Sequence, residues 1–418
     1  MSATSAVPDV LVIGAGAAGL ACAHDLLDAG LDVRLVEASD DVGGRMRTDR
    51  VGGFVIDRGF QVFNTSYPQV RGRLALSELW LRPFTPGVLV HTEDGRRRFT
   101  DPTRRPGTLP DLLPGRLAGP RDLLALGALS ARDLLAPVRR IKRGGDRTTR
   151  TELAAAGISD DLVERFFRPF LSGVFLEDEL ETSGRFFHLV WRSMLRGTLC
   201  LPADGIQAVP RALAARLPTG TTTLETPVAR LTDDGAEAAD GTALPARAVV
   251  VATGPGPAAE LLPGLDTPAR RTVTTYYHAA SRSPLGESTL LVDHRRRVLN
   301  TVVLSEVHSG YAPSGTALIA SSVLGQDTVG REVTVKEALA ELYDTDTSGW
   351  ETVAVRTIPD ALPAMPPPLP LSRTTRVAPG RYVCGDHRAT GSVQGALASG
   401  ARAAREVLAD LGTSGARP

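Results

Sequence analysis

Three closely spaced glycines carry the clearest chemical signal in the sequence: Gly14, Gly16 and Gly19. In the pattern Gly-x-Gly-x-x-Gly, the first glycine permits a tight turn and the second lets the backbone approach a pyrophosphate. The third lets a helix pack closely against a strand, and the start of that helix directs unpaired N–H groups at the phosphates. These glycines, with Ala17 and Ala18 between them, therefore predict a phosphate-binding turn.

Two predicted strands and a helix surround this turn in the order that a dinucleotide site requires. Residues 9–13 predict a buried parallel strand, residues 20–29 a helix and residues 31–36 a second strand. Glu37 ends the second strand, where its carboxylate can accept hydrogen bonds from ribose hydroxyls and would repel the 2′-phosphate of NADP. Because all these parts agree, the pattern favours dinucleotide binding over a glycine-rich turn without a ligand.

The residues after Glu37 indicate which dinucleotide is bound. Ala38 begins a short link to Gly43 and Gly44, which allow a second close approach to phosphate, and Arg45 adds a charge-assisted donor. The run from Glu37 to Arg45 resembles the FAD site of the flavin-containing amine oxidase superfamily, which includes monoamine oxidases, protoporphyrinogen oxidases and carotenoid desaturases. The resemblance implies FAD, held non-covalently because Cys384 lacks the context of a flavin attachment site.

Two further segments resemble parts of the same superfamily. Residues 52–68 resemble the block beside the flavin ring in plant-type phytoene desaturases, which implies that Gly59, Phe60 and Gln61 lie near the isoalloxazine. The alternative is an ordinary hairpin and helix below the first domain. In relatives the backbone at the position of Val228 touches the adenine end of FAD, and Ala252 ends another strand of the FAD-binding domain.

The C-terminal region predicts a second contact with the flavin. Residues 381–384 predict a strand, followed by Gly385 and Asp386, and residues 392–410 predict a helix. This run resembles the C-terminal motif of the desaturases, and Asp386 could bind the ribityl chain. Ser392, Val393 and Ala396 would lie where the helix directs its N–H groups at the flavin N1–C2 carbonyl, favouring the reduced anion. The alternative is a helix that only packs on the first domain.

The chain has 418 residues, of which 42% are hydrophobic, and this length predicts two domains. We expect an α/β fold. A Rossmann-like FAD-binding domain would comprise residues 1–85, 205–262 and 377–418. A substrate domain with a mostly antiparallel sheet and a helical cap would comprise residues 86–204 and 263–376. Within it, we expect helices at residues 109–117, 122–129, 131–135 and 158–170 and a strand at residues 317–324. Gly254 and Gly256 do not predict a nicotinamide site, because Pro255 and Pro257 remove the donors that a phosphate needs.

Composition excludes several classes of partner. The net charge of zero gives no argument for nucleic acid, and the three scattered cysteines indicate neither disulfides nor a metal site. We expect a cytoplasmic protein, since no signal peptide and no run of about 18 apolar residues is present. Leucines in residues 109–135 and arginines in residues 139–150 leave two alternatives open, peripheral membrane contact or a solvated helical cap. The oligomeric state is not indicated.

One departure from the superfamily decides between reactions. Its amine oxidases usually place a lysine, through water, near the flavin N5, whereas the only lysines here, Lys142 and Lys336, lie in unsuitable segments. This favours hydride removal from a small apolar substrate, such as an isoprenoid, with oxygen or a quinone as external acceptor. An amine or amino-acid oxidase and a non-catalytic flavin-binding protein are the alternatives. No catalytic residue is assigned, although Gln61, Tyr276, Tyr277 and His278 could border the substrate.

Overall fold

The computed structural model describes residues 7–100 and 118–412. Its strands are β1 (Val10–Ile13), β2 (Val33–Val36), β3 (Thr48–Val51), β4 (Phe54–Asp57), β5 (Phe63–Asn64), β6 (Leu81–Pro83), β7 (Val88–Thr92), β8 (Gly95–Phe99), β9 (Leu199–Pro202), β10 (Thr222–Thr223), β11 (Val228–Thr232), β12 (Gly235–Ala238), β13 (Ala243–Pro245), β14 (Ala248–Val251), β15 (Arg270–Ala280), β16 (Leu290–Asp293), β17 (Asn300–Val303), β18 (Ala317–Leu324), β19 (Glu351–Pro363), β20 (Arg376–Ala378) and β21 (Arg381–Val383).

Several of the helices follow one another in the stretch between β8 and β9. The helices are α1 (Ala17–Asp28), α2 (Pro68–Arg73), α3 (Pro120–Leu135), α4 (Val138–Arg143), α5 (Thr149–Ala155), α6 (Asp160–Leu162), α7 (Arg168–Phe175), α8 (Gly184–Arg196), α9 (Ala208–Ala214), α10 (Pro255–Leu261), α11 (Leu304–Val307), α12 (Arg331–Tyr343) and α13 (Val393–Asp410).

A six-stranded sheet in the order β10-β2-β1-β14-β21-β20 carries both termini of the described chain. All neighbouring strands are parallel except β20 and β21. Its central strands are apolar along their whole length because both faces are covered. Val10, Val12 and Val250 pack against α1 and α13 on one face, while Leu11 and Val249 pack towards the small sheet β11-β12-β13 on the other.

The second large sheet has seven strands in the order β19-β15-β18-β17-β16-β7-β8. It is antiparallel except for β16 and β7. Its outer face packs against α12 through residues such as Tyr276 and Val303. Its inner face packs against β4 through Tyr277 and Val302, and the helices from α3 to α8 cover the strands β7 and β16.

The predicted fold class is therefore confirmed: a parallel α/β sheet is combined with a mostly antiparallel sheet and a helical cap. The six-stranded sheet draws on residues 10–36, 222–251 and 376–383, and the seven-stranded sheet on residues 88–99 and 270–363. The exact division into two domains stays a prediction.

Two local predictions in the cap were wrong. The separate helices expected at residues 122–129 and 131–135 are one helix, α3, because no glycine or proline interrupts them at residue 130. The single helix expected at residues 158–170 is broken by a π-helical turn, Val163–Phe167, ahead of Pro169. Proline lacks an N–H and cannot continue the α-helical hydrogen bonds. A helix expected at residues 109–117 lies outside the described residues.

Candidate cofactor site

The glycine turn follows β1 directly and has the geometry that only glycine adopts easily. Gly14 has φ +106°, and a Cβ there would lie 3.0 Å from the carbonyl oxygen of Ala252. A Cβ on Gly19 would lie 1.9 Å from the Gly14 carbonyl oxygen. Ala17 is the first residue of α1 and Ala18 the second, so their N–H groups belong to the unpaired first turn. The turn can therefore bind an anion with backbone donors alone.

The second pair of glycines faces the first turn across a narrow space. The Gly43 N–H donates to the carbonyl oxygen of Ala15 at 2.9 Å. A Cβ on Gly16 would lie 4.0 Å from the Gly44 Cα, and a Cβ on Gly44 would lie 3.4 Å from the Gly16 Cα. The two glycines thus form a cradle that is walled by backbone and that side chains would fill. Such a cradle fits a pyrophosphate.

Glu37 is 8% exposed and joins β2 to the glycine turn. Its carboxylate accepts hydrogen bonds from the N–H groups of Ala15 at 2.7 Å and of Ser39 at 3.0 Å. A carboxylate has about four acceptor positions, so two remain for ribose hydroxyls. The Thr226 N–H donates to the Glu37 carbonyl oxygen at 2.8 Å, which brings the start of β11 at Val228 to the same edge. Ala38 is exposed beside it.

Arg45 connects the beginning of the chain with its end. Its guanidinium forms an ion pair with Asp386 at 2.5 Å. It also donates to the carbonyl oxygens of Asp360 at 3.1 Å and Ala361 at 2.7 Å, on β19. The phosphate contact predicted for Arg45 therefore stays a prediction, while the structure assigns this side chain a role in joining three distant segments.

The segment Gly59–Gln61 lies between the cofactor motifs and the seven-stranded sheet. The Gln61 side chain donates to the Arg45 carbonyl oxygen at 2.8 Å. The Phe60 N–H donates to the Thr275 hydroxyl at 3.3 Å, and a Cβ on Gly59 would approach Ile358 to 3.2 Å. Phe60 and Gly59 are thus held against the inner face of the sheet, and Gln61 joins the segment to Arg45. Their place beside the flavin ring stays a prediction.

The C-terminal motif closes the same region. Gly385 has φ +153°, and a Cβ there would lie 2.5 Å from the His387 ring, so this turn requires glycine. Ser392 caps α13 by accepting a hydrogen bond from the Gly395 N–H at 3.0 Å. Val393 and Ala396 lie in the first turn of the helix and pack on the core that contains α1. The uncapped N–H groups of this turn are available to a carbonyl acceptor.

His387 is a polar residue of this site that the sequence analysis missed. It is 4% exposed, and within the described residues neither ring nitrogen has a hydrogen-bond partner. Burial lowers the pKa of His387 to about 4, so the ring is neutral near pH 7 and presents one donor and one acceptor. In the sequence, its position directly after Gly385 and Asp386 could have indicated that it belongs to the same site. The cradle, the buried carboxylate and these unpaired nitrogens fit the polar atoms of FAD.

The residues of β15 that were proposed to border the substrate lie on different faces of the sheet. Tyr277 faces inward and donates its hydroxyl hydrogen to the Asp57 carbonyl oxygen at 2.7 Å. Tyr276 belongs to the core that packs on α12, and the His278 ring lies 6.2 Å from that of Trp350 on the same outer side. His278 is therefore a buried structural residue, away from the face that Phe60 contacts.

Neither lysine approaches the candidate site. Lys142 is exposed on α4. Lys336 lies on α12, on the outer side of the seven-stranded sheet, and donates to the Trp350 carbonyl oxygen at 2.8 Å. The inner face of the sheet, where Phe60 and Thr275 meet, therefore receives no lysine side chain from the whole sequence, which has only these two.

Comparison with known proteins agrees with this geometry. A sequence model of flavin-containing amine oxidoreductases matches residues 17–408. The L-amino-acid oxidase of Crotalus adamanteus is 33% identical over 112 residues, which are 26% of this chain and 22% of that protein. The coproporphyrinogen III oxidase of Bacillus subtilis (strain 168) is 28% identical over 178 residues, which are 40% of this chain and 37% of that protein.

A solved structure extends the likeness to nearly the whole chain. Cyclohexylamine oxidase from Brevibacterium oxydans IH-35A superposes with a TM-score of 0.68 at 19% identity, covering 97% of this chain and 100% of that one. At this identity the likeness shows the fold alone. The matches to these two relatives span 22% and 37% of the relatives' own lengths. Matches of this extent do not show that this chain has the activity of either relative.

Proposed function

Because this chain belongs to the family of flavin-containing amine oxidoreductases, its cofactor is FAD and it is an oxidoreductase, and we propose that it removes a hydride from a small apolar substrate such as an isoprenoid. Electrons would then pass to an external acceptor, oxygen or a quinone. FAD supplies the hydride-accepting group when bound. The contacts of Phe60 and Gln61 with the sheet and with Arg45 would hold the substrate side of the flavin in place.

The absence of a lysine supports dehydrogenation over amine oxidation. Amine oxidases of the superfamily usually place a lysine, through water, at the flavin N5, and here Lys142 and Lys336 lie on α4 and α12. Desaturation requires less acid–base catalysis by the protein than amine oxidation does, since a proton leaves from the carbon next to the one that loses the hydride. Correct positioning of the reacting C–H bond then supplies much of the acceleration.

The aromatic cap supports an apolar substrate. Phe166, Phe167 and Phe170 pack with Trp191 in one apolar core over β7 and β16. Their rings lie at centroid distances of 5.0 to 5.7 Å. A cap of this apolar character would suit a hydrocarbon, while it offers little to the charged group of an amine.

An anaerobic reduction experiment tests this proposal. Purified holoprotein is mixed without oxygen with a panel of apolar polyenes and, separately, with a panel of simple amines and amino acids, while the flavin absorbance near 450 nm is followed. We expect bleaching by polyenes and none by amines. Rapid bleaching by amines together with peroxide release in air would instead support an amine or amino-acid oxidase, the alternative that the L-amino-acid oxidase match favours.

The surface of α3 supports peripheral contact with a membrane. Among the described residues, no helix has the length and apolar character needed to cross a bilayer. The exposed side of α3, however, carries an apolar stripe at helical spacing: Leu124, Ala128, Ala131 and Leu135. Leu124 and Leu135 are 76% and 79% exposed.

The exposed charges around this stripe are all positive. The acids of α3, Asp122 and Asp133, are buried against the cap. The exposed charged residues on α3 and α4 are all basic: Arg121, Arg132, Arg139, Arg140, Lys142 and Arg143. An apolar stripe flanked by cations complements an anionic lipid surface. We therefore propose that α3 and α4 rest on anionic membrane, from which an apolar substrate could be drawn.

A further inference from the structure

Three polar residues form a continuous row across the inner face of the seven-stranded sheet. Thr275 on β15 is the register partner of Ser322 on β18, and Ser322 is the register partner of Asn300 on β17. All three are buried, with exposures of 0%, 3% and 7%. Their neighbours along the strands, Tyr277 and Val302, belong to the inner apolar core. The row therefore crosses an otherwise apolar face.

One end of this row lies at the candidate flavin site. The Thr275 hydroxyl accepts the Phe60 N–H at 3.3 Å and lies 3.1 Å from the Ser322 hydroxyl. The two hydroxyls are thus hydrogen-bonded to each other, and the Thr275 hydroxyl also provides an acceptor for the backbone of the segment Gly59–Gln61. Since neighbouring strands are about 4.8 Å apart, Asn300 lies roughly 10 Å beyond Thr275.

The other end of the row is a polar group without a partner. The Oδ1 of Asn300 is buried and has no hydrogen-bond partner among the described residues. The amide is directed at α7, where a Cβ on Gly173 would come within 2.7 Å of its Nδ2. Gly173 thus makes room for the amide beneath the cap. A buried acceptor without a partner costs free energy, which a bound group that donates to it would recover.

We propose that Asn300 forms a subsite for a neutral hydroxyl group at the end of the substrate that is remote from the flavin. This subsite rests on the proposed function, since it assumes an apolar substrate between the flavin and the cap. The unpartnered Oδ1 accepts hydrogen bonds, so it fits a hydroxyl, which can donate one, and not a carbonyl. The substrate class is then an apolar chain with one neutral oxygen function, rather than a pure hydrocarbon.

The charges near the row support a neutral group. Arg356 is the register partner of Thr275, and its guanidinium is engaged by Asp49 at 3.1 Å. Asp49 also pairs with Arg58 at 3.0 Å. No charged side chain follows on β18 or β17 at the register positions of Ser322 and Asn300. The register positions of the row therefore offer no counter-ion to a carboxylate or ammonium group at Asn300.

Calorimetric titration of the holoprotein with two matched probes tests the subsite. Farnesol and farnesene share an apolar chain, but only farnesol carries a hydroxyl. We expect the wild type to bind farnesol at least about tenfold more tightly, because a site built for a hydrogen bond is left unpaired by the hydrocarbon. In Asn300→Leu, which keeps the branching at Cγ without the amide, farnesol affinity falls to that of farnesene and farnesene affinity is retained.

Two further variants separate the subsite from general damage. Gly173→Ala pushes a methyl group against the amide and is expected to reduce the preference for farnesol in the same way. Ser321→Ala is the matched control, because Ser321 precedes Ser322, faces the outer side and bonds the Thr301 hydroxyl at 2.8 Å. It is expected to keep the preference.

The outcomes distinguish this subsite from the proposed reaction. Equal affinities for the two probes, binding of neither, an unchanged preference in Asn300→Leu, or an equal loss in Ser321→Ala would each overturn the subsite. Flavin bleaching is scored separately in the same samples. A preference that is lost in Asn300→Leu therefore supports the subsite even where neither probe reduces the flavin, a result that would count against the isoprenoid substrate alone.

Discussion

Gly16 and Gly254 provide a matched test of the phosphate cradle at the scale of single residues. Each is the residue before a helix, with φ of −76° and −63°, so alanine fits both backbones. Only Gly16 faces another glycine across the cradle. We expect Gly16→Ala to weaken FAD binding by about tenfold or more, since its methyl group occupies the path of the pyrophosphate. Gly254→Ala should bind FAD like the wild type.

Reconstitution of the apoproteins, followed by titration with FAD, measures this difference. Thermal unfolding of both apoproteins serves as the control, since neither methyl group meets an atom closer than 4.0 Å. Equal FAD affinity of the two variants would contradict the assignment of residues 14–19 as the phosphate-binding turn.

His278 predicts how stability depends on pH. Burial lowers the pKa of His278 to about 4, whereas a histidine in the unfolded chain titrates near 6.5. The unfolded state therefore binds more protons between these values. The contribution of neutral His278 is fully present above pH 6.5 and is lost as the pH falls towards 4.

Urea unfolding at pH 7 and pH 5 checks this sign. Linkage gives a loss of about 2 kcal/mol in the free energy of unfolding between these pH values from this residue. Over the same change of pH, the free energy of unfolding of His278→Leu should fall by about 2 kcal/mol less than that of the wild type. His387, whose pKa burial also lowers to about 4, remains in the variant, so some acid sensitivity is retained. An identical pH dependence in both proteins would show that His278 is solvated.

The residues that sequence reasoning identified are those whose signal is local. Gly14, Gly16, Gly19 and Glu37 lie within one strand–helix–strand unit, so their spacing alone predicts their arrangement. Asn300 could not be found in this way, because its missing partner is evident only after β17, β18 and α7 are brought together. The same holds for the sides of the sheet on which Tyr276 and Tyr277 lie, which depend on the register of β15.

At the scale of elements, the stripe on α3 predicts binding to anionic vesicles. We expect the protein to cosediment with vesicles of equal parts phosphatidylcholine and phosphatidylglycerol, and much less with phosphatidylcholine alone. Replacing both exposed leucines, Leu124→Ser with Leu135→Ser, should lower the partition coefficient about tenfold or more, because each loses the burial of an apolar side chain in the interface. The basic residues should make binding weaker at high salt.

A matched pair on another surface controls for this change. Val329 precedes α12 and Val333 lies on it, and they are 107% and 60% exposed. Val329→Ser with Val333→Ser therefore removes as many exposed apolar side chains at a place away from the basic residues of α3 and α4. This control should sediment like the wild type. Equal binding of all three proteins would refute membrane contact through α3.

The elements themselves were predictable to different degrees. The strand expected at residues 317–324 and the helix expected at residues 392–410 are found as β18 and α13, because their hydrophobic periods are uninterrupted. The π-helical turn before Pro169 was not predicted. Its presence depends on how the cap core packs Phe166 and Phe167, which no local pattern specifies.

At the scale of the whole molecule, the fold followed from motifs at the two ends of the chain. The end motifs are short and constrained by backbone geometry, so they predict the parallel sheet that unites them. The substrate domain is built from contacts between strands separated by long stretches of chain, such as β7 with β16. Its side-chain lining, and with it the substrate, therefore depends on packing that a single sequence does not determine.

The ion pair between Arg45 and Asp386 predicts energetic coupling between these ends. The two residues are 341 positions apart and meet at 2.5 Å, with Asp386 almost fully buried. If they act as one unit at the cofactor site, Arg45→Met and Asp386→Asn should each weaken FAD binding. The double variant should then lose little more FAD affinity than the single variant with the larger loss, because either change already breaks the pair.

Titration of the four apoproteins with FAD gives this double-mutant cycle. Arg73 and Asp25 are the control pair, since they meet at 2.7 Å on α2 and α1, away from the glycine turn. Removing either partner there should leave FAD affinity unchanged. Additive losses at Arg45 and Asp386 would mean that each contacts the cofactor independently. Non-additive losses would mean that FAD affinity depends on the closure of the chain through this pair, so that the first and last motifs form one binding site.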